Sequence, residues 1–391
     1  MTVITEPYRP SSNAFVHRAR EIGTLISTAQ PDAQRLRRAT DDVIDALDTA
    51  GLTRMTWPRE RGGDQLGLLD QHEVLTEIGR QDGSTAWLTA IWAATPWMIR
   101  LFGEDVFDEY LTSDNTRAGG VFSITGTATP TTGGYTVTGR WPFCSGQHHS
   151  GWMIVPAHSD HDGYPLALLV PRTAFDLAGE WTMSGLVGTG SNALSLTNAF
   201  IPQRHAIPFH YILDGIGRDH TPDPYWRQPL VPIISALSAG PAIGLATTAL
   251  TDFTDLISRR GITYSPHTKQ SEAPITAFQL AEARALLDTA DYFGRRLAST
   301  VDEHIAADAP WDTATRVRSR FDAARAVALC RQVCDIIDKA SGATAHQHGT
   351  RLTTILDDMR ALTVHSFLLA SSAEEQYGRI LAGLEPNYPI Y

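Results

Sequence analysis

The chain predicts an α+β protein, helical toward both ends with a β domain between them. Three observations lead there. Before residue 117 apolar residues recur at helical spacing, as in Phe15, Ala19, Ile22 and Ile26. The middle turns to short alternating runs rich in Gly, Thr and Val, such as GYTVTGRW and ALSLTNAFIP. Helical spacing returns from Leu230, broken at intervals that suit four long antiparallel helices. The expected division is an N-terminal α-helical domain over 1–117, a central β domain over 118–213 and a C-terminal four-helix bundle domain over 214–391.

Taken in order, residues 12–50 read as helix, with Val43, Ile44 and Leu47 repeating the apolar face after Asp41 and Gly51 as the stop. MTWPRERGGDQLG is a Pro- and Gly-rich connection. Leu69–Leu111 is again helical, capped by Ser84 or Asp82 ahead of the run WLTAIWAATPWMIRLF. Its three indoles, Trp87, Trp92 and Trp97, suit core filling, and equally the wall of a pocket for a planar aromatic ligand. Six to eight strands are expected between Ala118 and Phe209, then a loop over Asp214–Gln228, then the helices.

Composition narrows the class. With 391 residues, 42% hydrophobic and 19% charged, the chain is an ordinary globular one, large enough for two or three packed subdomains. A formal net charge of −11 without a compensating basic block excludes a nucleic-acid surface. No apolar run is read as long enough to span a bilayer and the N-terminus lacks a leader-like pattern, so no membrane partner is expected and the cytoplasm is the expected location. Cys144, Cys330 and Cys334 cannot form a disulfide framework. Cys330 and Cys334, four apart on one helical face, read as small buried side chains. HQHG, from His346 to Gly349, is a Gly-rich turn without neighbouring carboxylates, and no metal is predicted.

The most informative stretch is GGYTVTGRWPFCSGQHHSGW, Gly133–Trp152. Tyr135, Val137 and Gly139 alternate with Thr136, Thr138 and Arg140 as in a half-buried strand, which ends at the turn Cys144-Ser145-Gly146. A hydroxyl presented at the end of a rigid sheet suits a ring that must be held flat. The competing reading is a hairpin in which Ser145-Gly146 only turns the chain.

Five segments together carry a family likeness: IDALDTAGLTRMTWPRERGG, DGSTAWLTAIWAATPWMIRLFGED, GGYTVTGRWPFCSGQHHSGW, GLVGTGSNALSLTNAFIP and DDMRALTVHSF. Over nearly its whole length the chain resembles the acyl-CoA dehydrogenase superfamily. Within it, the likeness is to the flavin-dependent monooxygenases that serve as oxygenase components of two-component systems. The resemblance implies an acyl-CoA dehydrogenase-like fold, assembled as a homotetramer through the last bundle. It implies hydroxylation of an aromatic small molecule (phenol, indole or polyketide-like) by O2 and externally supplied FADH2 or FMNH2, through a flavin C4a-hydroperoxide. A separate NAD(P)H-dependent reductase is implied as the source of reduced flavin, because the chain has no Rossmann segment of its own.

Site residues follow from the same likeness. Phe143, Cys144 and Ser145 stand where the dehydrogenases carry Trp-x-Thr at the flavin, and Ser123, in VFSITGTATP, belongs to the strand region beside it. The Ser145 hydroxyl or amide is implied to lie at flavin N5, and His365 to face C4a and the substrate, where an imidazole can supply or accept a proton. Asp358, seven residues before His365, is expected on a similar face of one helix. Asp357 occupies the place where relatives have Arg, and Thr95 the place where some have His, so the chain departs from the family pattern at the ion-pair and phenol-binding positions. Trp92, Trp97 and Thr95 are expected to wall the substrate site, with His149 as a pocket residue and His148 on the surface. Arg259 and Arg260 stand where the superfamily donates an Arg to a neighbouring subunit's flavin phosphates, a task that suits a guanidinium fork. Two cations at a helix C-terminus are the competing reading.

Three rival functions differ by residues. An acyl-CoA dehydrogenase or oxidase needs a Glu base in a Tyr-Glu-Gly-Thr setting, and Glu385, in GLEPNYPIY, is not in one. An N-hydroxylating relative acting on an amino sugar would want a polar pocket, which the Trp-rich run opposes. A flavin-free binding protein would keep the fold alone.

Overall fold

The computed structural model describes residues 13–159, 161–214, 221–347, 349–388 and 390. The expected N-terminal helix is three helices, α1 (Ala14–Glu21), α2 (Gly23–Leu36) and α3 (Asp41–Thr49). After the Pro/Gly connection come α4 (Leu68–Gly79), α5 (Gly83–Ile99) and α6 (Glu104–Leu111). Asp82 is the cap of α5: its carboxylate accepts the Thr85 amide at 2.7 Å, satisfying a first-turn donor that the helix itself cannot. The alternative cap, Ser84, instead accepts the amide of Gly188 at 3.1 Å and ties the helix start to the sheet side.

Eight strands follow: β1 (Ala118–Gly120), β2 (Gly126–Thr131), β3 (Gly134–Trp141), β4 (Trp152–Ser159), β5 (Leu166–Pro171), β6 (Asp176–Ala178), β7 (Ala193–Pro202) and β8 (Ala206–Pro208). They form one sheet in the order β6-β7-β3-β2-β4-β5-β8, with β1 parallel to β4. The sheet curls, because Val137 and Trp141 of β3, Val155 of β4, Val170 of β5 and Leu196 of β7 all enter one interior cluster. Trp141 sits so close over the strands that a Cβ on Gly126 would lie 2.1 Å from its ring, which is why that position has no side chain. The opposite face, including Trp152, Ile154 and Leu169, joins the helical core.

The chain then forms α7 (Phe209–Asp214), α8 (Leu230–Ile257), α9 (Pro274–Ala307), α10 (Thr313–Ser341), α11 (Arg351–Thr363) and α12 (Ala370–Leu381). α8, α9, α10 and the shorter α11 make the C-terminal helical unit, and α4 and α5 pack on α8. Part of the loop expected over Asp214–Gln228 and His348 of the HQHG turn lie outside the described residues. One expectation fails. α8 is a 28-residue helix long and apolar enough to cross a membrane, although no such run was expected. In its most apolar window 89% of residues are buried, so its uniform hydrophobicity answers contacts all around it in the bundle.

Candidate active site

A cavity of about 450 Å3 lies between α5, the curled sheet, α8 and the turn after α11. Its size is that of a small-molecule site, and its walls are mainly apolar. One side is a face of α5: Trp87, Ala90, Ile91, Ala94, Thr95 and Met98 step along it at intervals of one, three and four residues. The small side chains on that face leave the space. Thr95 lines it, with its hydroxyl donating to the Ile91 carbonyl at 2.7 Å.

Two of the expected indoles are elsewhere. Trp92 is 1% exposed and donates to Ser150 Oγ at 3.1 Å, and Trp97 is fully buried and donates to the Tyr225 carbonyl at 2.7 Å. Neither lines the cavity, and Trp87 does. Periodicity could have separated them, since 87 shares a helical face with Ala90, Ile91 and Ala94 and the other two do not.

The turn after β3 supplies the second wall. Phe143 adopts φ +61°, a left-handed conformation uncommon for a side-chain-bearing residue, and its ring is exposed to the cavity. Backbone bonds pin this turn to the segment before β7: Cys144 N–H donates to the Asn192 carbonyl at 3.2 Å and Gly146 N–H to that of Thr189 at 3.2 Å. Cys144 points away, buried, its thiol on the Trp141 carbonyl at 3.3 Å and pushed up to about 12 by burial, so it is inert. Ser145 faces the cavity. Its amide is taken by the Phe143 carbonyl at 3.0 Å, so of the two groups expected at a flavin only the hydroxyl is available. That hydroxyl lies 2.8 Å from Ser191 Oγ, which lies 2.7 Å from Thr189 Oγ1. Ser123 also lines the cavity.

His365 reaches the same space, but not from a helix. α11 ends at Thr363, and His365 lies in the turn that follows. Its Nδ1 accepts the Phe367 amide at 3.3 Å, which leaves the neutral ring's proton on Nε2. The indole of Trp87 packs edge-on against it with centroids 4.9 Å apart. The side chain is open to the cavity, yet the protein around it limits solvation of a charged ring and lowers its pKa to about 4, so the imidazole is neutral at ordinary pH. It thus offers an N–H donor, and proton abstraction by Nε2 does not fit this tautomer.

Asp358 does not share that face. Its Oδ1 accepts the Leu186 amide at 2.6 Å, at a residue with φ +52°. Complete burial, reinforced by Asp82, raises its pKa well above the carboxylate range. Asp358 therefore holds the loop bearing Gly185 and Leu186 against α11, where a Cβ on Gly185 would lie 2.0 Å from the Asp357 carbonyl. Asp357 pairs with Arg360 at 2.7 Å. Above this loop Trp181 and Met183 border the cavity, their carbonyls held by the Arg37 guanidinium.

The remaining candidates lie off the cavity. His149 is buried with Nε2 on the Ala39 carbonyl at 3.0 Å, and His148 Nε2 contacts Asn192 Oδ1 at 2.8 Å, so both fasten the turn. Arg260 donates to the carbonyls of Ala340 and Ser341 at 2.8 and 2.7 Å, capping α10, and Arg259 is exposed. Within this chain Arg260 thus serves a helix end, though the helix is α10 and not its own. No group of three or more His, Cys, Asp or Glu suited to a metal occurs among the described residues.

The cavity's features fit a flavin ring: flat aromatic and apolar walls, a hydroxyl edge at Ser145, Ser191 and Thr189, and an open side. Comparisons point the same way. Residues 15–112 match the acyl-CoA dehydrogenase N-terminal domain and residues 236–369 its C-terminal domain, together more than half of the chain. The oxygenase subunit HsaA, a flavin-dependent monooxygenase of Rhodococcus jostii, is 28% identical over 91% of this chain and 94% of its own length. The structure of XiaF from Streptomyces sp. in complex with FADH2 and glycerol superposes with a TM-score of 0.92 at 25% identity, covering 97% of each chain. That of a 3-HSA hydroxylase from a Rhodococcus species gives 0.88 at 26% identity, covering 97% of this chain and 99% of the other.

Proposed function

This chain belongs to the acyl-CoA dehydrogenase family, and from that premise we propose that it is the oxygenase component of a two-component flavin-dependent monooxygenase acting on an aromatic small molecule. The observation that carries the reading is the make-up of the cavity. It gathers a serine hydroxyl and a neutral His365 N–H on apolar walls, and no Asp or Glu is among the described residues that line it. A thioester dehydrogenase needs a carboxylate there to take an α-proton. An amino sugar would need polar walls.

Reduced flavin, when bound, supplies the two electrons with which one atom of O2 enters the substrate ring while the other leaves as water. The chain's own residues prepare for that. Phe143, Trp181, Ser123 and the Ser145–Ser191–Thr189 edge would hold the isoalloxazine. Trp87, Ile91, Thr95, Ile234 and Leu237 would hold the aromatic substrate and keep water out. His365 Nε2–H would donate a hydrogen bond to the oxygen being transferred or to the oxygenated ring carbon's new hydroxyl, stabilising charge as it develops there. A separate reductase would supply the flavin, and a homotetramer built through the C-terminal helices remains part of the proposal.

The test is dependence on supplied reduced flavin. Purified protein given an aromatic substrate panel, O2 and chemically reduced FAD or FMN is expected to hydroxylate without NAD(P)H. Full activity with NADPH alone overturns the reading.

A further inference from the structure

We propose that Thr189 and Ser191 make this site selective for flavin in its reduced state, by fixing the direction of a hydroxyl chain that ends on Ser145. The inference rests on the flavin reading above. Thr189 Oγ1 lies 2.7 Å from the Leu186 carbonyl oxygen, Ser191 Oγ 2.7 Å from Thr189 Oγ1, and Ser145 Oγ 2.8 Å from Ser191 Oγ. A carbonyl oxygen can only accept, so the first contact places the Thr189 proton on Leu186. The Thr189 amide and the Trp181 indole reach the same oxygen at 3.1 and 3.4 Å, which leaves the shortest contact to the hydroxyl.

With that proton committed, Thr189 Oγ1 can only accept from Ser191. Ser191 in turn accepts from Ser145. Thr189 is 2% and Ser191 4% exposed, so water does not compete for either hydroxyl. The anchor does not drift, because the Leu186 amide is itself held by Asp358 Oδ1 at 2.6 Å. The Ser145 hydroxyl therefore turns its proton inward and its free lone pair toward the cavity. Its amide is already taken by Phe143. At this edge the site accepts hydrogen bonds and does not donate them.

The two redox states of an isoalloxazine differ in the complementary way. Reduced flavin carries a proton on N5, and oxidised flavin presents a bare lone pair there. With N5 at Ser145, as the family resemblance implies, an accept-only hydroxyl would bond the first and repel the second, so the chain's polarity would become a preference between states. An oxygenase that must take reduced flavin and release the oxidised form is served by that bias.

Anaerobic titration with reduced and with oxidised FAD and FMN gives the ratio of the two dissociation constants for wild type, Thr189→Val, Thr189→Ser and Ser191→Ala. Valine removes the anchor while keeping the shape, freeing Ser191 to donate to Ser145 and Ser145 to donate to oxidised flavin. The oxidised-to-reduced ratio is expected to fall about tenfold or more in Thr189→Val and Ser191→Ala, through tighter oxidised binding, and to recover in Thr189→Ser. A ratio within about threefold of wild type in the variants overturns the proposal. If Thr189→Val does not fold, Ser191→Ala decides. Wild type that binds neither state overturns the flavin reading as well, whereas selective binding indifferent to both substitutions overturns only the hydroxyl chain.

Discussion

The His365 imidazole stands edge-on to the Trp87 indole, ring centroids 4.9 Å apart, while its Nδ1 accepts the Phe367 amide at 3.3 Å. The Phe367 contact fixes one tautomer, so the donor on this cavity-lining side chain is Nε2–H. His365→Asn, which keeps a donor, is expected to retain most hydroxylation. His365→Val is expected to lose about 10- to 100-fold of product formation, with the lost electrons appearing as hydrogen peroxide. Product and peroxide measured together check this; unchanged coupling in the valine variant contradicts it.

The poor solvation of the ring within the cavity has a consequence for pH. With its pKa lowered to about 4, His365 stays neutral from pH 5.5 to 8, and its donor is present throughout. The pH profiles of product yield for wild type and His365→Asn should run parallel over that range. An ionisation near 6.5 present only in the wild type would mean that the imidazole titrates during turnover.

Asp358 is expected to act through Leu186. Asp358→Asn preserves an acceptor for the Leu186 amide and removes a carboxyl whose charged form burial disfavours, so at neutral pH stability should be unchanged or higher. Asp358→Leu strands that amide and should cost about 2–3 kcal/mol, together with weaker flavin binding. Denaturant unfolding and flavin titration distinguish the two. Equal losses from both substitutions would show that the charge itself matters.

His149 predicts how stability varies with pH. It is 9% exposed, and burial lowers its pKa to about 4, with Arg38 adding to the shift and Asp41 and the Ala39 carbonyl opposing it. The unfolded chain takes up this proton near 6.5 while the native chain does not until about 4, so the native state loses stability as pH falls between those values. Between pH 7.5 and 5 the loss from this group is on the order of 2 kcal/mol. His149→Gln should remove it. Identical pH dependence in the variant would rule out this source.

How much of this was legible beforehand differed by element. The layer order, the β3 alternation leading into the turn at Ser145 and the stop at Gly51 follow from local periodicity and turn residues, which a sequence states directly. α5 was harder to read, because it is buried on nearly every side and hydrophobicity alone marks no single face; only the small residues at 90 and 94 point to the one that bears Trp87. Hence Trp92 and Trp97 looked as eligible as Trp87. The contacts of Arg260 and Asp358 were not legible for another reason: their partners, Ala340 and Leu186, are remote in sequence, 80 and 172 residues away. The polarity of the Ser145 hydroxyl likewise depends on Leu186, Thr189 and Ser191 meeting it in space.

Arg260 illustrates the consequence. Because it caps α10, Arg260→Ala is expected to lower stability by about 1–3 kcal/mol while leaving the flavin affinity of the folded protein within about twofold. A large loss of affinity with stability unchanged would restore the phosphate role implied by the family resemblance.

The central claim is that oxygen from O2 enters an aromatic ring at this cavity. Incubation of the purified protein with chemically reduced FAD or FMN, a phenol and indole panel and isotopically labelled O2, followed by mass analysis of the products, tests it most directly. One labelled oxygen atom per hydroxylated product is the result expected, with the second atom recovered as water. Label recovered only as hydrogen peroxide, while a thioester panel is oxidised instead, would contradict it.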